Sequence, residues 1–367
     1  MTVPAFMNAA RLELKNAPLH VVNMPVPKPG VGQVLIRVHA CGVCGSDLHA
    51  AQADWTPTPI VMGHEYSGEV AALGPGVDQL RIGERVAPLS QITCGHCVWC
   101  HSGRSAQCPD FELVGFSRHY NGGYAEYVLA SAHEVLRLPD EVSFAEAAAL
   151  EPLAVGLDAV RHGGMRSGDQ VLIIGGGPIG LCVATWARFC GGAHVVVSEP
   201  NTVRREKALQ MGATHVIDPD SEGDVVSAFR ERAGVLPNII VEAVGRPGMI
   251  SACIDLAPQR AMIIVVGLCQ EVDSFEPRKA VFKSLSMTFP SGYSLTDYAF
   301  ILQMLQQGRV RAAPIISHRI SLDALPEMFA AMQSAPTDQI KVIVEPCPRE
   351  RADIDEFRPI INVKGSK

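Results

Sequence analysis

From Val171 onward, short apolar runs recur at spacings too wide for hairpins: VLIIG (171–175), HVVVSE (194–199), HVID (215–218), IIVEAVG (239–245) and MIIVVG (262–267). The runs are nearly continuous in apolar residues, and the stretches between them read as helices. This pattern constrains the fold more than any other feature, because strands apolar on both faces need cover on both sides. It predicts a parallel sheet with helices above and below, a doubly wound α/β domain. Residues 30–90 read differently. Alternating runs such as QVLIRVHA and YSGEVAALG, punctuated by glycine and proline, indicate short strands of a mostly β unit. After about residue 290 the pattern is mixed, with a helical YAFILQMLQQG and a late strand KVIVE. A chain of 367 residues is long enough for two such domains. The expected division is 156–290 for the α/β domain, with 1–155 and 291–367 forming the other. The tail from Pro348, polar before RPIINV, receives no role from the sequence.

The segment Gly175-Gly176-Gly177-Pro178-Ile179-Gly180 follows the strand VLII and opens the helix LCVATWARFC. A G-x-G-x-x-G pattern alone is weak evidence, but its place between strand and helix gives each glycine a task. Gly175 makes the tight turn, Gly177 admits a pyrophosphate to the backbone, and Gly180 lets helix and strand pack closely. The unpaired N–H groups of the helix start attract phosphate. The next strand ends at Glu199, nineteen residues after Gly180, where a carboxylate can hold ribose hydroxyls. Arg204 and Arg205 read as helix-face charges near the adenine rather than readers of a 2′-phosphate. Val244 and Gly267, at the ends of later strands, are counted with Pro178 and Ile179 among the cofactor contacts.

The net charge of −7 offers no basic surface for nucleic acid, and 47% apolar with 19% charged residues is a globular composition. No apolar run approaches the length that crosses a bilayer, and the N-terminus lacks the pattern of a secretory leader. Cytoplasm is the expected location, where thiols stay reduced. Eleven cysteines, an odd number, fit poorly with full pairing. Four of them, Cys94, Cys97, Cys100 and Cys108, follow the spacing C-x2-C-x2-C-x7-C. Such spacing lets one loop wrap a tetrahedral ion, and four thiolates would close a zinc site to water and make it structural. An iron–sulfur cluster is the rival reading, but the ferredoxin run has three residues before its last cysteine where this one has seven. Free thiols are the third.

Three further motifs, CGVCGSDLH (41–49), GHEYSG (63–68) and LEPLAVG (150–156), precede the glycine motif in chain order. Together with it and the four-cysteine loop, they resemble the zinc-dependent medium-chain alcohol dehydrogenases, and LEPLAVG resembles the polyol (sorbitol-type) branch. The resemblance runs to about Pro346. It implies a Rossmann domain beside a catalytic domain with a GroES-like barrel, two zinc ions per chain and NAD. A catalytic zinc would be held by Cys44 and His64, with Glu65 as third ligand and Glu151 ligating or holding the zinc-bound water. Asp47 would fix the His64 tautomer. Ser46 would take the substrate's hydroxyl proton and pass it through the cofactor ribose towards His49. Gly45 stands where some relatives place a pyrophosphate-binding arginine, which leaves that contact to Lys341. Ala50 stands where sorbitol dehydrogenases carry a polyol-holding tyrosine. The implied substrate is a small polyhydroxylated molecule, a polyol, sugar or sugar acid, whose secondary alcohol becomes a ketone. The alternatives are an L-threonine or amino-alcohol dehydrogenase and, in another class, a catalytically silent NAD-binding redox sensor. A homo-oligomer is implied, a tetramer or else a dimer.

Overall fold

A computed structural model describes residues 2–334 and 338–347, so the tail from Pro348 lies outside the described residues. The expected α/β domain is a six-stranded sheet, all parallel, in the spatial order 215–217, 194–198, 170–174, 239–242, 262–265, 286–288. The strand Gln170–Ile174 is central, and the order reverses between it and Ile239–Glu242. In doubly wound sheets, ligands bind in the crevice at the carboxyl ends of two such strands. The apolar runs behave as read: Val171, Leu172, Ile173, Val195, Val196, Val197, Ile240 and Val241 are fully buried.

The expected boundary at 155/156 falls inside one continuous helix, Leu150–His162. Its Gly156 packs so tightly on Pro178–Phe189 that a Cβ there would lie 2.8 Å from the Cys182 main chain. The Trp186 indole N–H donates to the Leu153 carbonyl at 2.8 Å. Leu295–Gln306 packs on the same helix, with Arg161 ion-paired to Asp297.

The β unit is built around Gln33–Gly42, which pairs antiparallel with Glu65–Leu73, Tyr127–Ser131 and the late strand Lys341–Glu345. A second sheet joins Phe6–Leu12 to Leu19–Pro25 and Ile60–Val61. Between the sheets lies a core that includes Val34, Ile36, Val38, Tyr66 and Val128. The pairing of Gly42 with both Glu65 and Ile343 brings three distant segments to one point. Among the described residues, no helix is long and apolar enough to cross a membrane.

Candidate active site and metal centres

The strand ending at Gly42 turns through Val43 and Cys44 into the short helix Gly45–Ala50. Cys44 caps that helix, and its N–H donates to Asp47 Oδ2 at 3.1 Å. His64 and Glu65 lead into the neighbouring strand, so antiparallel pairing sets them beside Cys44. The ligand atoms of Cys44, His64 and Glu65 all lie within 4.8 Å of one another. Asp47 is fully buried and its Oδ1 meets His64 Nδ1 at 3.2 Å, as the sequence leads one to expect. That contact leaves Nε2 as the nitrogen that could hold a metal. Tyr124 donates its hydroxyl to Asp47 Oδ2 at 2.6 Å, a contact no sequence motif announces. Burial alone would lower the His64 pKa, but the charge and hydrogen bond of Asp47 outweigh it and hold it well above its ordinary value. Phe116 covers the imidazole at 5.1 Å between ring centroids, and Trp55 stacks on Phe116 at 6.2 Å.

Glu65 shows most directly that this group fits a cation. Its Oε1 accepts from the Lys341 ammonium at 2.6 Å, while its Oε2 is buried with no hydrogen-bond partner. A buried, unpartnered oxygen on a carboxylate grouped with a thiol and an imidazole is costly without a metal and natural with one. The side chain needs glycine opposite: a Cβ on Gly42 would fall 2.0 Å from Oε2.

Glu151 stands outside this three-ligand group. It is buried near the start of Leu150–His162, and its Oε1 accepts from the Tyr293 hydroxyl at 3.0 Å. Burial raises its carboxyl above the ordinary value, partly countered by the charges of His64 and Lys341.

One expectation is corrected here. Lys341 does not face a pyrophosphate. It is 1% exposed, and its ammonium is taken up by Glu65 and by the Val43 carbonyl at 3.1 Å, because strand pairing carries it into the metal site. Ala50, where sorbitol dehydrogenases carry a tyrosine, is fully buried in the β-unit core. Cys41 is also fully buried in that core. Ser46 is half-buried and His49 exposed one turn later on the same short helix.

The four-cysteine loop lies apart from this centre, and the two-stranded pairing of Gln91–Ile92 with Glu112–Leu113 ties its two ends together. Sulfur separations are 3.5 Å for Cys97–Cys100, 3.6 Å for Cys94–Cys108 and 3.9 Å for Cys94–Cys100. A tetrahedron with zinc–sulfur bonds of 2.3 Å has edges of about 3.8 Å, so the loop is already shaped for the ion. The Cys100 backbone N–H, donating to the Cys97 thiol, brings that thiol down to about 7. Burial pushes Cys100 up to about 12. All eleven cysteines are unpaired.

At the sheet's carboxyl edge Gly175 makes a tight turn and Gly180 a close packing contact. Gly175 has φ +102°, and a Cβ on it would come within 2.9 Å of Val244. A Cβ on Gly180 would meet the Gly175 carbonyl at 2.0 Å, whereas one on Gly177 would meet nothing within 4 Å. The open face over Gly177, beside the start of the helix Pro178–Phe189, suits a pyrophosphate. Pro178 and Ile179 begin this helix, half-buried. Glu199 bridges the cradle, accepting from Gly176 N at 2.7 Å and Asn201 N at 2.9 Å. Arg204 reaches back to the Gln339 carbonyl at 3.4 Å, and Arg205 pairs with Asp218 at 3.1 Å.

Comparison with known proteins agrees with this geometry. Residues 30–140 match the model of the alcohol dehydrogenase GroES-like domain, and residues 178–307 that of zinc-binding dehydrogenases. The L-threonine 3-dehydrogenase of Idiomarina loihiensis is 32% identical over 86% of this chain and 93% of its own. Among solved structures, 2R,3R-butanediol dehydrogenase from Bacillus subtilis is 30% identical, with TM-score 0.82 over 93% of this chain and 100% of that one. A structure described as a zinc-binding dehydrogenase from Sinorhizobium meliloti 1021, bound to NADP, is 31% identical, with TM-score 0.83 over 94% and 100%.

Proposed function

Because this chain belongs to the zinc-dependent medium-chain alcohol dehydrogenases, we propose that it oxidises a secondary alcohol bearing a second polar group on the adjacent carbon, with NAD as acceptor. The observation that carries this reading is Glu151, a buried carboxylate that feels the charges of His64 and Glu65 and is held by Tyr293. Such an acceptor suits a hydrogen-bond donor next to the carbinol, and an ethanol-like substrate would bring it no donor beyond that of Tyr293. A metal held there would supply Lewis acidity to the alcohol oxygen, and a bound nicotinamide cofactor would supply the hydride acceptor. The chain's own residues do the rest. Asp47 orients His64, and Lys341 orients Glu65. Ser46 receives the hydroxyl proton, and His49, exposed at the far end of the helix, delivers it to solvent. Cys94, Cys97, Cys100 and Cys108 hold the structural ion.

The first reading of the second polar group is an ammonium, as in L-threonine. A buried carboxyl whose pKa is raised by desolvation becomes an effective anion when a cation is set beside it. Similarity to an L-threonine 3-dehydrogenase supports the same choice. A vicinal diol, the polyol reading, is the second, supported by similarity to a butanediol dehydrogenase. NADH formation measured across L-threonine, 2,3-butanediol, alditols, aldonates, ethanol and hexanol separates them. L-Threonine should outrun the rest, and Glu151→Gln should harm it more than butanediol. Ethanol or hexanol outrunning every compound with a second polar group would sink both readings.

Preference for NAD rests on Glu199, a like charge against the extra phosphate of NADP in a desolvated pocket. Glu199→Ala should erode that preference, and equal wild-type rates with both cofactors would refute it. A homo-oligomer fits the sheet edge at Ser286–Thr288, flanked by exposed Val281, Phe282 and Phe289. Unpaired thiols fit a cytoplasmic location.

A further inference from the structure

Glu242 ends the strand Ile239–Glu242 on the far side of the switch point from the glycine motif and is 1% exposed. Its Oε1 accepts the N–H groups of Val244 at 2.7 Å and Gly245 at 2.9 Å. Its carbonyl accepts those of Val266 at 2.9 Å and Gly267 at 3.0 Å, so one residue ties together the turns after two neighbouring strands. The join is tight: a Cβ on Gly267 would lie 2.3 Å from Glu242 Oε2 and 2.3 Å from Gly245 N. The first turn also leans on the phosphate cradle, since a Cβ on Gly175 would meet the Ala243 carbonyl at 3.0 Å as well as Val244.

Burying a carboxylate is expensive, and a strand end in a parallel sheet has no need of one. What the carboxylate adds is the shape of the turn 243–245 at the sheet's carboxyl edge. A dinucleotide laid across the switch point spans two halves. Gly175–Gly180 and Glu199 serve the adenylate half, so the turns after 239–242 and 262–265 fall to the nicotinamide half. We propose that Glu242 is a positioning residue for that half, setting through its two turns where the nicotinamide nucleotide lies. The proposal rests on the nicotinamide-cofactor reading above.

Its test uses the full-length, zinc-loaded protein and compares binding of AMP with binding of NADH by calorimetry, alongside KM and kcat for NAD. Glu242→Ala should weaken NADH about tenfold or more while AMP stays within about twofold, because only the nicotinamide side loses its shaped turn. KM for NAD should rise more than kcat falls. Glu242→Gln, which keeps a carbonyl acceptor, should restore most of the NADH affinity. Gly267→Ala should give the same split with the carboxylate intact, because its methyl group displaces the same turn from the other side. Parallel weakening of AMP and NADH, or folded variants with unchanged binding of both, would overturn the proposal and leave Glu242 a strand-end cap. So would failure of both Glu242→Ala and Gly267→Ala to fold. Wild-type protein that bound neither AMP nor NADH would instead overturn the cofactor reading itself.

Discussion

The two candidate metal centres are built in opposite ways. In the four-cysteine loop every donor comes from residues 94–108, all are sulfur, and turns at Gly95 and Gly103 with positive φ bend the chain around them. In the other centre the donors are a thiol, an imidazole and a carboxylate, and the supporting groups Glu151 and Lys341 come from far along the chain. Four thiolates satisfy a tetrahedral ion completely. Three mixed ligands leave a position for substrate. Binding energy in the first centre is therefore energy of local folding, and in the second it is available to chemistry.

The largest expected effect tests that division directly. Cys44→Ser should lower kcat/KM by about a thousandfold or more, since the metal that activates the alcohol is lost or misplaced. Its thermal midpoint should stay within a few degrees of wild type. A collapse of the fold in this variant would break the comparison, and metal analysis of active enzyme should return two zinc ions per chain.

Cys100→Ser should do the reverse. Loss of the closed site should lower the midpoint by about 10 °C, while activity per folded molecule stays within about threefold. Abolished turnover in a fully folded Cys100→Ser protein would show that the loop does more than hold structure.

A smaller effect sharpens the account of Glu65. Lys341→Met removes the cation bonded to that buried carboxylate, and breaking a buried pair costs about 3–5 kcal/mol. Metal on Oε2 would supply part of the missing charge, so denaturant unfolding should show a smaller loss in metal-loaded than in metal-stripped protein. An identical loss in both states would mean that the metal does not use Glu65.

Tyr293→Phe should have the smallest consequence. It removes one hydrogen bond to Glu151, worth about 1 kcal/mol, and should reduce kcat/KM by about three- to tenfold with no loss of zinc. Unchanged kinetics would show that Glu151 is held well enough without it.

The same contrast explains what could be read in advance. The four-cysteine loop was legible because its ligands are neighbours in sequence, so spacing alone states the geometry. The parallel sheet was legible because strands buried on both faces cannot hide their composition, and Gly175 and Gly180 because no larger side chain fits where they sit. Cys44, His64 and Glu65 were reached only through the joint resemblance of several motifs, each of them weak by itself. Lys341 was placed at the wrong partner, and Tyr124, Tyr293 and Glu242 were not singled out at all.

By itself the sequence determined the layers of this protein, its glycine-rich turn and its thiolate loop, since each depends on interactions between residues close along the chain or on burial common to a whole run. Tertiary structure alone decided which lone polar side chains meet. Strand pairing at Gly42 carried Lys341 to Glu65, and the docking of Leu150–His162 put Glu151 within reach of Tyr293. A buried charge finds its partner through register and packing, and neither leaves a local mark in the residues on either side of it.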